Sequence, residues 1–258
     1  MEKYYITEVD RLENSIYCYH DLMGELLIPP HVHVKGQLIY TEGGTVHIRT
    51  TLNTYYLPAR HCMWIPSGVK HSIHTNSEKT IMRNLYFPPE EGEDEFYTKE
   101  GIYPVGDLLY QLINFSQRWT ADLPEKDPLY ITALSIKRML PFLCKEKLPL
   151  ALPLPVSDRL KTITEFIADN IEEGILYSNV ARQFGFTERT LHRLFKKELG
   201  LSFGQYQSIL KMLKAIELLS ENKLSINEIA AVSGYNSVST FSNTFCKYMG
   251  IRPSEYLR

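Results

Sequence analysis

The chain has little cysteine, no long apolar run and almost no net charge. Its four cysteines (Cys18, Cys62, Cys144 and Cys246) lie far apart, with no CxxC pair and no cysteine–histidine cluster. They predict reduced thiols and exclude a disulfide framework or a cysteine-based zinc site. No charged-then-apolar leader opens the sequence, and no run of about 18 apolar residues occurs in it. We therefore expect a cytoplasmic protein without a membrane segment.

The charge is unevenly distributed along the 258 residues. The net charge is −2, but residues 157–258 carry 13 Lys and Arg against 11 Asp and Glu, whereas residues 1–156 carry 15 against 19. The C-terminal part is thus weakly basic, which is compatible with a phosphate-bearing partner but does not identify one. A hydrophobic content of 44% with 12% aromatics favours packed globular domains over disorder.

The first 90 residues are typical of an all-β domain. Short segments rich in Ile, Val, Thr and Tyr predict strands at Gly36–Tyr40, Thr45–Thr51 and Thr80–Tyr86. Turn signals separate the segments at Gly43-Gly44, Leu52-Asn53 and Pro66-Ser67-Gly68. Because no helical pattern intervenes, we expect an antiparallel barrel or sandwich.

Helical spacing begins near residue 104. Apolar residues predict two amphipathic helices within residues 104–146, with Pro141 as a kink or break in the second: Leu108, Leu112, Phe115 and Trp119, then Ala133, Ile136, Leu140 and Leu143. Their apolar faces would cover the barrel or pair with another subunit. Prolines predict a semi-extended linker at residues 149–157, because each blocks helix and sheet ladders. The predicted division is 1–90 (barrel), 91–148 (helical packing or dimerisation segment), 149–157 (linker) and 158–258 (helical domain).

The helical domain contains an internal repeat. Val180–Phe186 aligns with Ile229–Tyr235, and later positions continue the match after one inserted residue. Each copy predicts a helix-turn-helix: a small residue for close approach (Ala181, Ala230), a glycine for a turn with positive φ (Gly185, Gly234), then a capped second helix. Predicted N-caps are Ser157, Ser178, Thr187, Ser202, Ser225 and Ser237, with Glu228 completing a capping box at Ser225.

The second helix of each copy has an outward face that suits a DNA major groove. In the first copy this face carries Glu188, Arg189, His192 and Arg193; in the second it carries Val238, Ser239, Ser242 and Asn243. Arginine pairs bidentately with guanine, and asparagine with adenine. We therefore expect more base readout from the first copy and more backbone positioning from the second. A long helix over Gln205–Glu221 is predicted to hold them at a fixed separation.

Residues 158–258 resemble the AraC-type DNA-binding domain. The resemblance rests on the pattern Ile229-Ala230-x3-Gly234-Tyr235-x3-Ser239-x-Phe241-x3-Phe245-x4-Gly250-x2-Pro253-x2-Tyr256. It implies a bacterial regulator that binds promoter DNA, usually as a homodimer, and recruits or blocks RNA polymerase. The base-contacting positions of that family map onto Arg189, His192 and Arg193 in the first copy, and onto Val238, Ser239, Ser242 and Asn243 in the second.

Histidines mark a second candidate site in the N-terminal domain. His31 and His33 share a face if they lie on one strand, a turn would bring Gln37 beside them, and His71 would close the group. Three imidazoles and an amide oxygen suit a divalent transition metal such as Zn, Ni, Fe or Mn. Hydrogen-bonded packing residues or the lining of a metal-free effector pocket are the alternatives.

The stretches Gly24-x6-His31-x-His33-x3-Gln37-x6-Gly44 and Pro66-x-Gly68-x2-His71-x4-Asn76 resemble the two cupin motifs. Cupin sensor domains commonly precede AraC-type domains, so the resemblance implies an all-β cupin-like barrel with accessory helices before an all-α double helix-turn-helix domain. Cupin enzymes usually have Glu at the position of Gln37, and an amide supplies no general base.

The main hypothesis is therefore a transcription regulator, and not an enzyme, that responds to a small-molecule or metal effector. A metal-dependent cupin enzyme fused to a DNA-binding domain, and a ligand-independent regulator whose barrel only dimerises, are the rivals. Activation and repression are both open.

Overall fold

The computed structural model describes residues 6–23, 27–75 and 79–256. The chain forms two compact units, the first from residues 1–51 and 55–148, the second from residues 52–54 and 149–258. Gly24 and Asn76, which belong to the two histidine motifs, lie outside the described residues. No helix in the described ranges is both long enough and apolar enough to cross a membrane.

The first unit is built on antiparallel strands, as predicted. They are β1 (Ile16–Leu22), β2 (Leu27–His31), β3 (Gly36–Glu42), β4 (Val46–Thr50), β5 (Asn53–Leu57), β6 (His61–Ile65), β7 (His71–Thr75), β8 (Ile81–Phe87), β9 (Gly101–Pro104) and β10 (Ala121–Leu123). One sheet has the order β10-β1-β8-β3-β6-β9, and β5-β4-β7-β2 follow one another in the second. The three strands predicted from composition are present as β3, β4 and β8. The turn predicted at Leu52-Asn53 is shorter than expected, because Asn53 already belongs to β5.

The core of this unit shows why the helical segment is not a separate layer. Helices α2 (Asp107–Ser116) and α3 (Pro128–Leu143) bury Ile113 and Ile136 in one cluster with Leu38, Trp64 and Phe87 from the first sheet. Alternate residues of a strand face opposite sides, so the neighbours of Leu38 point away from this cluster. The first unit also contains α1 (Ile6–Val9) and a 3₁₀ turn at Glu95–Thr98.

Two details of the predicted helices were wrong. Helix α2 ends at Ser116, and the Trp119 N–H donates to the Ser116 carbonyl oxygen (2.8 Å) in a turn that leads into β10. Trp119 is buried, but not from a helix. Of the kink or break predicted at Pro141, the break is wrong, because α3 continues to Leu143. Proline has no N–H for the carbonyl four residues earlier, and here the Tyr97 hydroxyl donates to that Lys137 oxygen instead.

The second unit is mainly helical in its described residues. Its elements are β11 (Ala151–Pro153), α4 (Asp158–Asp169), a 3₁₀ turn (Ile171–Glu173), α5 (Tyr177–Gln183), α6 (Glu188–Leu199), α7 (Phe203–Glu221), α8 (Ile226–Val232), α9 (Val238–Met249) and α10 (Pro253–Tyr256). The prediction that prolines exclude a strand from residues 149–157 was wrong, because Leu152 is buried and the Leu154 N–H donates to the Leu52 carbonyl oxygen (2.9 Å). Proline is tolerated in strands at sheet edges.

Five of the six predicted N-caps are confirmed: Ser157, Thr187, Ser202, Ser225 and Ser237. The capping box of Ser225 and Glu228 is also present. Ser178 is not a cap, because α5 begins at Tyr177 and the Leu176 carbonyl accepts from the N–H groups of Asn179 and Val180.

Candidate DNA interface and histidine site

The two repeats have the same turn, down to single hydrogen bonds. Gly185 and Gly234 have φ of 68° and 76°, a conformation that side chains disfavour. The aromatic residue after each glycine donates its N–H to the small residue of the preceding helix, Phe186 to Ala181 (2.8 Å) and Tyr235 to Ala230 (2.9 Å). The alignment read from the sequence is therefore a structural repeat.

The second helices of the repeats, α6 and α9, also begin and pack alike. Their N-cap hydroxyls accept from the N–H groups of Thr190 (3.2 Å) and Thr240 (3.1 Å). Each helix buries one stripe: Leu191, Phe195 and Leu199 in α6, and Phe241, Phe245 and Met249 in α9. Since burial fixes one face, the opposite face of each helix is available for contacts outside the domain.

The exposed faces differ in charge. All four residues predicted in α6 are exposed: Glu188, Arg189, His192 and Arg193. Of the four predicted in α9, Ser239 and Asn243 are exposed, whereas Val238 and Ser242 are partly buried. Sequence reasoning did not name three further exposed cations of the first repeat, Arg182, Lys196 and Lys197. The helical spacing of the basic residues around α6 was the signal for the last two.

The predicted histidine group is brought together inside the first unit. His31 lies on β2 directly opposite His71 on β7. His33 follows the end of β2, so it is not on the strand as predicted. The ligand nitrogens of the three buried imidazoles lie within 4.8 Å of one another. The register of β2 shifts between Ile28 and His31, and such a bulge re-aims the side chain that follows it.

Backbone carbonyls fix the tautomer of each imidazole. The Nδ1 atoms of His31, His33 and His71 contact the carbonyl oxygens of Pro29, Lys35 and Val69. A carbonyl oxygen only accepts, so each Nδ1 donates and carries a hydrogen. Burial lowers the pKa of all three imidazoles, that of His71 to about 3. In the neutral form each Nε2 therefore holds a lone pair.

Gln37 supplies a fourth lone pair to the same point. Its Oε1 lies 3.1 Å from the Nε2 atoms of both His33 and His71. Its Nε2 donates to Asn84 Oδ1 and to the Tyr86 hydroxyl, both at 2.9 Å, which turns the amide oxygen towards the imidazoles. The lone pairs of Gln37 Oε1 and of the Nε2 atoms of His33 and His71 repel one another where they converge, and a divalent cation would relieve this repulsion. The donor set fits a transition metal held by imidazole and a neutral oxygen.

Asn84 and Tyr86 are the residues that sequence reasoning missed at this site. Both are buried on β8, which pairs with β3 so that Tyr86 lies opposite Gln37. Asn84 Nδ2 has no partner among the described residues. Rotating both amides by 180° gives the metal-free arrangement, in which Gln37 donates to the two imidazoles and accepts from Asn84 and Tyr86. The available signal was Asn84, a polar residue that alternates with Met82 and Tyr86 on one face of β8.

Comparison with known proteins assigns both units. Residues 15–124 match the AraC-like ligand binding domain, and residues 180–258 match a helix-turn-helix domain. The HTH-type transcriptional regulator NimR of Escherichia coli (strain K12) is 29% identical over 242 residues, which cover 93% of this chain and 86% of NimR. The multiple antibiotic resistance protein MarA of Salmonella typhimurium is 33% identical over 97 residues, covering 38% of this chain and 76% of MarA. ToxT from Vibrio cholerae aligns structurally with 94% of this chain and 98% of its own, at 13% identity and a TM-score of 0.39.

Proposed function

Because this chain belongs to the AraC family of transcription regulators, we propose that it reads promoter DNA mainly through α6 and uses α9 to hold its position. The family binds DNA through its helix-turn-helix domain and a small-molecule effector through its N-terminal domain, and its members are regulators rather than enzymes. The observation that carries the proposal is the pair of repeats with the same hydrogen-bonded turn and differently charged exposed faces.

The proposed base reader is the exposed face of α6. Arg189 and Arg193 are four residues apart, so they share this face. A bidentate arginine–guanine pair discriminates against other bases by about 1–3 kcal/mol. Glu188 and His192 lie beside them as further contacts.

On α9, Asn243 is the proposed adenine reader. Ser239 and Ser242 offer only single hydrogen bonds, and Val238 offers an apolar contact. A helix of this composition contributes weaker discrimination and serves chiefly to fix the register of the protein on the duplex.

Helix α7 is the proposed spacer between the two readers. It runs from Phe203 to Glu221, 19 residues, and begins two residues earlier than predicted. At 1.5 Å per residue it is about 28 Å long. Successive major grooves on one face of DNA are about 34 Å apart, so a rigid helix of this length suits two adjacent grooves.

Binding to DNA from the chain's own upstream region tests this proposal. A gel-shift titration of the full chain should show binding that weakens steeply with added salt, because phosphate contacts release counterions. Arg193→Ala should cost about 1–3 kcal/mol of specific binding and relax one base position. Binding that is absent or insensitive to salt contradicts the proposal.

We also propose that the histidine site binds a divalent transition metal (Zn, Ni, Fe or Mn) that acts as an effector or holds one. Its ligands are His31, His33, His71 and Gln37, whose four lone pairs converge. The metal would offset the repulsion between these lone pairs and act as a Lewis acid. Gln37 has no acid–base function to offer, which disfavours the rival enzyme.

Elemental analysis of the purified chain tests the metal. We expect about one equivalent of a transition metal, lost in a His31→Ala/His33→Ala variant and retained in the control His47→Ala, which removes a histidine outside this group. A metal-free chain with unchanged thermal stability across a metal and metabolite series would instead support a regulator whose barrel only dimerises.

The chain is further proposed to act as a homodimer through α2 and α3, and to act on RNA polymerase at the promoter, in the bacterial cytoplasm. The exposed fractions of Leu108, Ile131 and Phe142 on these helices are 52%, 70% and 73%. Exposed apolar surface of this kind is typical of association surfaces. Light scattering should show a dimer that Ile131→Glu dissociates. The control Leu27→Glu, at a similarly exposed apolar residue on β2, should leave the dimer intact.

A further inference from the structure

We propose that Arg159 and Lys211 are positioning residues. Each holds the turn of one helix-turn-helix repeat and thereby fixes the orientation of the recognition helix that follows, α6 or α9. This inference rests on the proposed DNA binding and adds two residues that contact no base in it. Each cation comes from the helix before its repeat, α4 or α7, and each contacts the same two features of its turn: the aromatic ring after the glycine and a main-chain carbonyl.

The first clamp holds the turn between α5 and α6. The guanidinium carbon of Arg159 lies 3.9 Å from the centroid of the Phe186 ring, and its Nη2 donates to the Phe184 carbonyl oxygen (3.2 Å). These two residues flank Gly185, so a single side chain ties both sides of the turn to α4. Arg159 is exposed, and none of the ion pairs described includes it. Its guanidinium group instead contacts the Phe186 ring and donates to the Phe184 carbonyl oxygen.

The second clamp holds the turn between α8 and α9. The Lys211 Nζ lies 5.6 Å from the centroid of the Tyr235 ring and donates to the Gly234 carbonyl oxygen. Lys211 is half-buried, and its aliphatic stem also lies against the turn: a Cβ at Gly234 would lie 3.2 Å from its Cε. The ammonium group therefore donates a hydrogen bond to the carbonyl oxygen of Gly234, the residue with positive φ.

The placement of these contacts gives them a role beyond stability. The second helices of the repeats begin two and three residues after the clamped aromatic residue, at Glu188 and Val238. A small rotation at the turn moves every base-contacting side chain of the helix together, and contacts of this kind are sensitive to displacements of about 1 Å. Since each clamp touches one turn only, its loss should affect one recognition helix and spare the other.

Selection of binding sites from randomised duplex DNA by the full chain tests this. Arg193→Ala first identifies the base pairs that α6 reads. Arg159→Met, which keeps a flexible unbranched side chain but removes the charge and the guanidinium group, should then lower discrimination at those base pairs roughly three- to tenfold and leave the α9 base pairs unchanged. Lys211→Met should give the reverse pattern. Lys211→Arg and Arg159→Lys should restore part of each loss, and they carry the test if a methionine variant does not fold by circular dichroism.

Three results overturn the clamps. Both sets of base pairs weakening equally would assign the side chains to general stability. Unchanged base preference in folded variants would remove any role in aiming. A uniform loss on all sequences with a shallower salt dependence would make Arg159 a phosphate contact. If the wild-type chain enriches no sequence at all, the proposed function fails, and the clamps fail with it.

Discussion

The two repeat glycines should respond very differently to the same substitution. Alanine at either position is forced into the left-handed region, which costs about 1–2 kcal/mol. At Gly185 that is the whole cost, because an added Cβ meets nothing within 4 Å. At Gly234 the Cβ would lie 2.3 Å from the Ile171 carbonyl oxygen, which is backbone and cannot rotate away. Overpacking of this kind adds about 1–3 kcal/mol, so Gly234→Ala should cost about 2–5 kcal/mol.

Urea unfolding of the full chain, followed by helical circular dichroism, measures both costs against the wild type. Gly185→Ala serves as the matched control, since it changes the same residue type at a similar φ in the corresponding turn of the first repeat. The free energy of unfolding should fall at least 1 kcal/mol further for Gly234→Ala than for Gly185→Ala. Equal losses, or a larger loss at Gly185, would refute the claim that the second turn packs against the backbone of the 3₁₀ turn after α4.

Three further outcomes follow from single contacts. The Glu198 carboxylate accepts from the N–H and hydroxyl groups of Ser157 (both 2.8 Å). Glu198→Gln should therefore lower the free energy of unfolding by about 1–2 kcal/mol in urea titrations, and no change would show that the negative charge does not contribute to stability. Burial lowers the pKa of His20 to about 4, so stability should fall as pH drops from 6.5 to 4, where only the unfolded chain binds the proton; His20→Gln should flatten that decline, and an unchanged slope would contradict the assignment. Ser225→Ala removes an N-cap and should lower the free energy of unfolding by about 1 kcal/mol. Ser178→Ala, at a position that is not a cap, should change it by less than about 0.5 kcal/mol, and equal effects would be inconsistent with the observed caps.

The helical domain could be predicted from sequence because its determinants are local. The spacing of Ala181, Gly185 and Phe186, repeated at Ala230, Gly234 and Tyr235, encodes one hydrogen-bonded turn that recurs in the structure. Failures occurred where a distant residue decides. The helix persists through Pro141 because Tyr97 supplies the missing donor, 40 residues away from the carbonyl it contacts.

The histidine site illustrates the same limit. The grouping of His31, His33 and His71 follows from two short motifs, and the structure brings them together. The hydrogen bonds of Gln37 do not follow from them, because its partners Asn84 and Tyr86 lie 47 and 49 residues away along the chain. Whether four acceptors converge depends on that long-range pairing, which no local pattern encodes.

The most direct test of the central claim is a base-by-base affinity scan of a bound promoter site with the full chain, Arg193→Ala and Asn243→Ala. The asymmetric account predicts two groups of base pairs about one helical turn apart, with discrimination at the stronger group lowered by Arg193→Ala and discrimination at the weaker group lowered by a smaller factor by Asn243→Ala. A scan in which both variants remove equal discrimination, or in which Arg193→Ala weakens all sequences alike, would contradict it.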